Sequence, residues 1–523
     1  MIKKRRNLIL SAVSVLAASS LLAGCSSENT SSTESSSSST ASSSPAAASA
    51  EPMKLEIMVN GGKLPAPDAD VIKQELDKAL NTNINISSYT DATDYQNLLN
   101  VRVASSDLPD LFQINDRQTV AQLARKGALL DLTPYVGKLA QAEKFVGGFQ
   151  KNYVDGKLYA LPRAAGLDYF SYWVRKDWLD NLKLPVPQTL DDLAKVAVAF
   201  ANDDPDQNGK KDTFGLTGGG GGGFGDFKFN PGIGAALSPI FGGYGVGVPG
   251  SMYVKDGKVT DALHDPAMKD ALAFSKKLFD AKVIDPDVVT NGALQHQQKA
   301  IQGQVGIVYI DWANMSKDEY VEQIKAINPK AEWIQINAPK GPGGQFDGTW
   351  DSSRQGGIAI PKSLEKNPKK IEKIIELLNY ISGEKGSNLV QFGVEGKHFT
   401  IDNGKVTATP LLAQDGGYFY TYQFLGRNEM KYLATKFVKQ TPYIDFISKE
   451  PRIMAYNGVV DIPNDYNPAD AERYFSEEII KFLYGKRPLS EYDAFLETLD
   501  TQFKYKVYRD SVAAQLKTLG LVK

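Results

Sequence analysis

One short run of the chain gathers oxygen-bearing side chains at a telling spacing: Asp204-Pro205-Asp206-Gln207-Asn208-Gly209-Lys210-Lys211-Asp212. Counted from Asp204, side-chain oxygens stand at positions 1, 3, 5 and 9, glycine stands at 6, and Lys210 offers a backbone carbonyl at 7. Hard oxygen ligands so spaced can wrap a calcium ion, the glycine making the sharp turn. Position 12 is Gly215, so the bidentate acid that usually completes such a set is missing, and Thr213 is the nearest further oxygen. The loop is expected to hold a structural calcium through Asp204, Asp206, Asn208, Lys210 and Asp212, more weakly than a complete set would. A turn with solvated charges is the alternative reading of the same residues.

A second chemistry lies in the aromatic residues, 24 Tyr, 23 Phe and 5 Trp. Flat apolar rings suit the CH face of a pyranose, and planar polar groups suit its hydroxyls. Trp312 follows the apolar strand Ile307–Ile310 and Asp311, and strand ends face the ligand crevice in open α/β sheets. Asn60 closes the first strand, and Trp350 and Arg354 precede a later strand at 356–360. Tyr169 and Tyr172 share one alternating segment, and Tyr420 sits in the aromatic run Tyr418–Tyr422, expected as a strand or loop. These seven residues are the ligand-binding candidates; Trp178 is expected to pack. No catalytic residue is assigned. The three histidines, His264, His296 and His398, match no metal-ligand pattern, and no G-x-S-x-G elbow occurs. Two carboxylates suffice for a glycosidase, so a surface polysaccharide hydrolase is one rival class. A binder of a peptide or other solute, or a sensor without a transporter, is another. The glycine run Gly218–Gly223 lacks a phosphate-cradle context and reads as a mobile loop.

The elements that must position these residues begin with Leu55–Val59, an alternating strand ending in Asn60-Gly61-Gly62. A helix is expected over Asp70–Leu80, a strand at Ile84–Ile86, and a helix over Thr93–Ala104. Such alternation predicts an α/β fold with a mainly parallel sheet covered on both faces. Gly356–Ile360 reads as a strand, followed by a helix from Asn367 with Ile371, Ile374, Ile375, Leu378 and Ile381 on one stripe, ended by Gly383. About 470 residues from Met53 onward exceed what one core supports, so two lobes are expected.

The N-terminal region reads differently. Lys3, Lys4, Arg5 and Arg6 precede an apolar stretch from Leu8 to Leu22, too short and serine-broken for a span of about 20 residues. That is the pattern of a secretory signal over 1–24. Leu22-Ala23-Gly24-Cys25 resembles the bacterial lipobox, which implies diacylglycerol on the chain's one cysteine and cleavage before it. Ser26–Ala50 carries no aromatic or branched aliphatic residue and is expected, within 25–52, to be a disordered tether reaching roughly 25–30 Å. Removing the four basic residues of the signal takes 59 Lys and Arg to 55 against 61 Asp and Glu, a net −6. A mildly acidic chain argues against nucleic acid as partner.

Six motifs in order resemble the extracellular solute-binding proteins of ABC sugar importers. They are Ser106-Asp107-Leu108-Pro109-Asp110-Leu111 with Gly127–Tyr135; the hairpin Val154–Pro162; Tyr172–Leu179; Ile301–Gly306 with Asp311-Trp312; Lys385-Gly386; and Phe392–Phe399. The resemblance implies a two-lobe periplasmic-binding-protein-like fold with a hinge and a central ligand cleft. Lobe 1 would span 53–166 and 356–396, and lobe 2 would span 167–353 and 397–523. It also implies a monomer, lipid-anchored through Cys25 at the extracellular face of the cell membrane. That monomer would close on an oligosaccharide and deliver it to a membrane permease. Some family members carry a structural calcium in a loop like 204–212, with an acid where Thr213 stands.

Overall fold

The computed structural model describes residues 51–219, 233–292, 294–351 and 356–522. Its first strand, Met53–Asn60, is a β-rich run whose Leu55, Ile57, Met58 and Val59 are all buried. It pairs in parallel with Thr82–Tyr89 on one side and with Leu111–Ile114 on the other. The intervening helix Val71–Leu80 starts at Asp70, whose carboxylate accepts the Lys73 N–H at 3.1 Å as an N-cap. It buries Ile72, Leu76 and Leu80, a 3.6-residue stripe.

Two five- and four-stranded sheets organise the body. The first runs Thr82–Tyr89, Met53–Asn60, Leu111–Ile114, Gly357–Ala359, Ala160–Pro162. The second runs Trp333–Ile336, Phe170–Arg175, Val305–Asp311, Phe214–Gly218. Helices cover both, giving the two-lobe α/β fold expected from the family resemblance.

The sheets are mixed, however, where a mainly parallel one was expected. Gly357–Ala359 is antiparallel to both of its neighbours, and Phe170–Arg175 is antiparallel to Val305–Asp311 and to Trp333–Ile336. The reason is topological. A chain that leaves one lobe at the strand ends beside the other lobe enters the second sheet from that same side. Its first strand there must run against the strands that finish at that side, and the returning strand obeys the same constraint.

Buried side chains form three clusters: one on one face of the second sheet with the C-terminal helices, one shared by a face of each sheet, and one on the other face of the first sheet. The helix Pro368–Ser382 buries Ile371, Ile374, Ile375, Leu378 and Ile381, as its stripe predicted. Helices Pro468–Leu483, Tyr492–Gln502 and Tyr505–Thr518 bury their apolar faces with the second sheet. The stretch from Phe399 to Ile447 behaves differently from its expected place in the second lobe alone. Phe399, Tyr422 and Ile444 share a cluster with Leu55 and Ile57, and also with Val308 and Trp312. Among the described residues, no helix is long and apolar enough to cross a membrane.

Candidate functional site

The parallel strands of the first sheet finish at Asn60 and Ile114, and Ala160–Pro162 finishes on the same side because it too opposes Gly357–Ala359. In the second sheet Asp311 and Gly218 close parallel strands, and Phe170 opens the antiparallel one beside Asp311. The crossover 163–169 joins these two sets of ends. Open α/β sheets bind ligands outside such ends.

On the first-lobe side, Asn60 is half-buried and its Nδ2 donates to Tyr89 O at 2.8 Å, leaving its side-chain oxygen for another donor. Gly61 and Gly62 let a neighbouring turn approach. A Cβ on Gly62 would stand 2.9 Å from the Tyr420 hydroxyl, and Gly62 N donates to Thr421 Oγ1 at 2.9 Å. That turn, Phe419–Tyr422, is a short 3-10 helix and not the expected strand or loop. Helical geometry sends Phe419 and Tyr422 inward, the latter donating to Asp70 Oδ2 at 2.5 Å, and leaves Tyr420 42 % exposed over Gly62.

Toward the second lobe, the Tyr169 hydroxyl donates to Glu429, and Arg427 Nη2 donates to that hydroxyl at 3.2 Å. Burial, and then the Glu429 charge, hold the Tyr169 hydroxyl well above the usual phenol range. Trp312 is only 2 % exposed. Its ring sits edge-on to Tyr169 at 6.2 Å and to Phe437 at 5.2 Å. Trp312 therefore lies behind Tyr169, with its indole N–H unpaired. The Asp311 carboxylate caps Asn314, accepting from its N at 3.1 Å and its Nδ2 at 2.6 Å, and burial raises its pKa.

Tyr172 is a core residue, which corrects its place among the ligand candidates. It is 0 % exposed and its hydroxyl donates to Ala236 O at 2.5 Å. Its strand is interior to the second sheet and buried on both faces, so alternation cannot mark one face as cleft. Trp178 is buried, as expected. Trp350 is half-buried in a short pair with Ile453–Met454, where its carbonyl accepts the Ala455 N–H at 2.9 Å. Arg354 and Cys25 lie outside the described residues, as does most of the glycine run.

Sequence reasoning missed several charged residues here. Arg163 follows the strand Ala160–Pro162 directly. Arg427 and Glu429 pair through Nε–Oε2 and Nη2–Oε1, both at 2.8 Å. Arg452 sits 3.2 Å from Asp168 and 3.0 Å from Asp347, and it donates to Tyr309 Oη at 3.1 Å and Phe170 O at 2.7 Å. On the rim, Arg117 and Arg125 of one lobe both meet Asp461, whose backbone is clipped to Gln515. Apart from Arg427–Glu429, these pairs join residues more than a hundred positions apart and leave no spacing signature.

The 204–212 loop curls as its glycine requires, with Gly209 at φ 77°. Its oxygens turn inward: Asp204 accepts from the Asn208 and Gly209 N–H groups at 3.0 Å, and Asp206 and Asp212 both face the Asn208 amide. Asp206 Oδ1 is buried with no partner, and burial together with Asp204 and Asp212 raises its pKa, a strain that a cation would relieve. These features fit a calcium ion held by Asp204, Asp206, Asn208, the Lys210 carbonyl and Asp212. Thr213 does not add to the set, because its hydroxyl donates to Phe200 O at 2.7 Å. Among the described residues, no three His, Cys, Asp or Glu side chains already converge as metal ligands.

Comparison with known proteins matches residues 63–387 to the bacterial extracellular solute-binding protein family. The polygalacturonan/rhamnogalacturonan-binding protein YtcQ of Bacillus subtilis (strain 168) is 32 % identical over 337 residues, 64 % of each chain. The match thus spans 64 % of the length of the first two curated relatives, under two-thirds, and 47 % of a third. Two solved structures share the fold. One is an HMO-binding, ABC-transporter-associated solute-binding protein from Bifidobacterium longum infantis: TM-score 0.68, 18 % identity, covering 88 % of this chain and 98 % of that one. The other is the ABC-transporter substrate-binding protein FusA of Streptococcus pneumoniae in complex with kestose: TM-score 0.62, 20 % identity, covering 89 % and 99 %.

Proposed function

The chain belongs to the bacterial extracellular solute-binding protein family, and from that premise we propose that it captures an oligosaccharide between its lobes and delivers it to an ABC transporter permease. The observation that carries this reading is the exposed Tyr420 ring over Gly62, beside Asn60, across the crossover from Tyr169 and Asp311. A flat aromatic face flanked by planar amide and carboxylate groups is what a pyranose needs. The relatives named above are all described as binding carbohydrates, which supports the same reading.

Ligand contacts with both lobes would favour a closed form. Open and closed states separated by a few kcal/mol shift in population by the ligand's differential affinity. Tyr420 and Asn60 offer an apolar face and an acceptor from one lobe, and Trp312 backs Tyr169 from the other. The Arg427–Glu429 pair fixes the Tyr169 ring, so little side-chain entropy is lost on binding.

The protein acts as a monomer at the outer face of the cell membrane, held by diacylglycerol on Cys25 with residues 26–52 as spacer. The lipobox and the serine-rich composition support this, and two acyl chains are needed because one binds only marginally. A calcium ion in the 204–212 loop stiffens the connection between the helix Leu190–Asn202 and the strand Phe214–Gly218.

The test is a thermal-shift screen of the purified body against a panel of oligosaccharides and peptides, with the mixtures then analysed for cleavage products. A saccharide that raises the melting temperature and is recovered intact supports the proposal. Turnover, or a response to peptides alone, overturns it.

A further inference from the structure

At the cleft end of the first sheet one positive charge makes no ion pair among the described residues. Arg163 is half-buried, and its one hydrogen bond is Nη2 to Gln423 O at 3.3 Å. Nε and Nη1 donate to no described residue, and no ion pair forms among the described residues, although the Glu429 charge attracts the group from a distance. The acid that could serve it, Glu429, is fully engaged: Oε1 accepts from the Tyr169 hydroxyl and Arg427 Nη2, and Oε2 accepts from Arg427 Nε. Arg427 also lies 3.8 Å above the Tyr432 ring, which fixes its guanidinium where it is. Two guanidiniums and one carboxylate therefore share this corner, a net charge of +1.

The other nearby cation shows the contrast. Arg452 reaches two carboxylates, a hydroxyl and two carbonyls. Burial, and then repulsion from Arg427, push the Arg163 pKa down, so its charge is held at a cost in the free protein. Arginine does not escape such a cost by losing its proton. In a chain with an acid excess, a cation left unpaired at a ligand-binding strand end points to a negative charge brought by the ligand.

Resting on the carbohydrate reading above, we propose that the cleft is built for an acidic oligosaccharide, with Arg163 receiving an anionic group of one sugar ring. Nη2 carries two N–H groups and gives one to Gln423 O, so the other forms a planar fork with Nε–H or with Nη1–H that matches a carboxylate through two parallel N–H···O bonds. Asn60 closes a strand of the same sheet and Tyr420 packs over Gly62 just beyond it, which gives the ring that carries the anion an apolar face to rest on. A uronate carboxylate and a sulfate ester both supply the required anion.

The experiment titrates wild type and Arg163→Gln calorimetrically with oligouronides (galacturonate, mannuronate and glucuronate types), sulfated galactan oligosaccharides, and neutral oligosaccharides of equal length. Wild type is expected to prefer an acidic member. Arg163→Gln is expected to lose roughly ten- to a hundredfold on it, the range for a charge-assisted hydrogen bond, and far less on any neutral one. Arg163→Lys should recover part of the loss, because it restores charge without the fork. The melting temperature of ligand-free Arg163→Gln separates a binding role from a structural one. It should equal or exceed wild type, whereas a structural arginine would lower it. The uronide and sulfate arms identify which anion is used. Preference for neutral sugars with equal affinities in both proteins overturns the acidic assignment while leaving the carbohydrate reading intact; binding of no saccharide overturns both.

Discussion

The buried trio of Arg452, Asp168 and Asp347 sets a pH dependence that can be worked out in advance. Asp347 is 1 % exposed. Its Oδ2 lies 3.0 Å from Arg452 Nη2, but neither carboxylate oxygen accepts a well-directed hydrogen bond. Arg452 is shared with Asp168, so burial outweighs its attraction and the Asp347 pKa is pushed up to about 8 from 3.8. Between these values the folded protein holds a proton that the unfolded chain releases, so stability falls as pH rises. The slope is at most about 1.4 kcal/mol per pH unit, or roughly 2–3 kcal/mol between pH 5.5 and 7.5. Asp347→Asn removes the titrating group while keeping shape and one acceptor. Urea unfolding of wild type and Asp347→Asn, followed by tryptophan fluorescence at half-unit pH steps, isolates this group as a difference. The stability of wild type relative to the variant should decline steadily from pH 5.5 to 7.5. Parallel curves, or a wild type that gains on the variant as pH rises, would refute the reasoning. Asp168 titrates with the same cation, so the step belongs to the cluster as a unit.

Four other outcomes are expected. Arg452→Met takes the cation from buried Asp168 and the donors from Tyr309 Oη and Phe170 O, and should destabilise by about 3–5 kcal/mol in the same assay at pH 7; a loss under 1 kcal/mol would contradict the burial argument. Tyr420→Ala removes the exposed ring without touching the core and should weaken saccharide binding by about 0.5–1.5 kcal/mol, with the melting temperature unchanged. Calcium, but not magnesium, should raise the melting temperature of metal-stripped protein, and Asp206→Asn should abolish the rise; no calorimetric heat and no shift would remove the ion from the account. Cys25→Ser should move the protein from the membrane fraction to the medium with ligand affinity unchanged, and a variant that stayed membrane-bound would contradict the anchor.

Local features of the fold were legible wherever short-range physics decides them. The alternation of Leu55–Val59, the helix up to Leu80 and the stripe Ile371–Ile381 each depend on neighbours within a few residues, and each stands as read. Strand direction was not legible, because the antiparallel entry of Phe170–Arg175 and Gly357–Ala359 follows from where the chain crosses between lobes. The aromatic run at 418–422 misled for a related reason. Period-2 spacing does not distinguish a strand from a single 3-10 turn, and only the turn leaves Tyr420 outward while burying Tyr422. Tyr172 misled because an interior strand is buried on both faces. Trp312 stands at the end of the strand as expected, yet Tyr169 covers it, and that layering needs the crossover in place. Charges were the least legible. Arg163 and Arg452 gain meaning only from partners, or the lack of one, brought by distant segments, and the Arg427–Glu429 pair gains it from the distant Tyr169 hydroxyl.

The central claim is that a saccharide binds between the strand ends of the two sheets. A crystal structure of the protein with the saccharide giving the largest thermal shift tests it most directly. The expected result is sugar density over Tyr420, within hydrogen-bond reach of Asn60 and Arg163 on one lobe and of Tyr169 or Asp311 on the other. Density elsewhere, such as the polar surface groove of Asp287, Gln295, Lys299 and Gln302, with the strand ends empty, would contradict it.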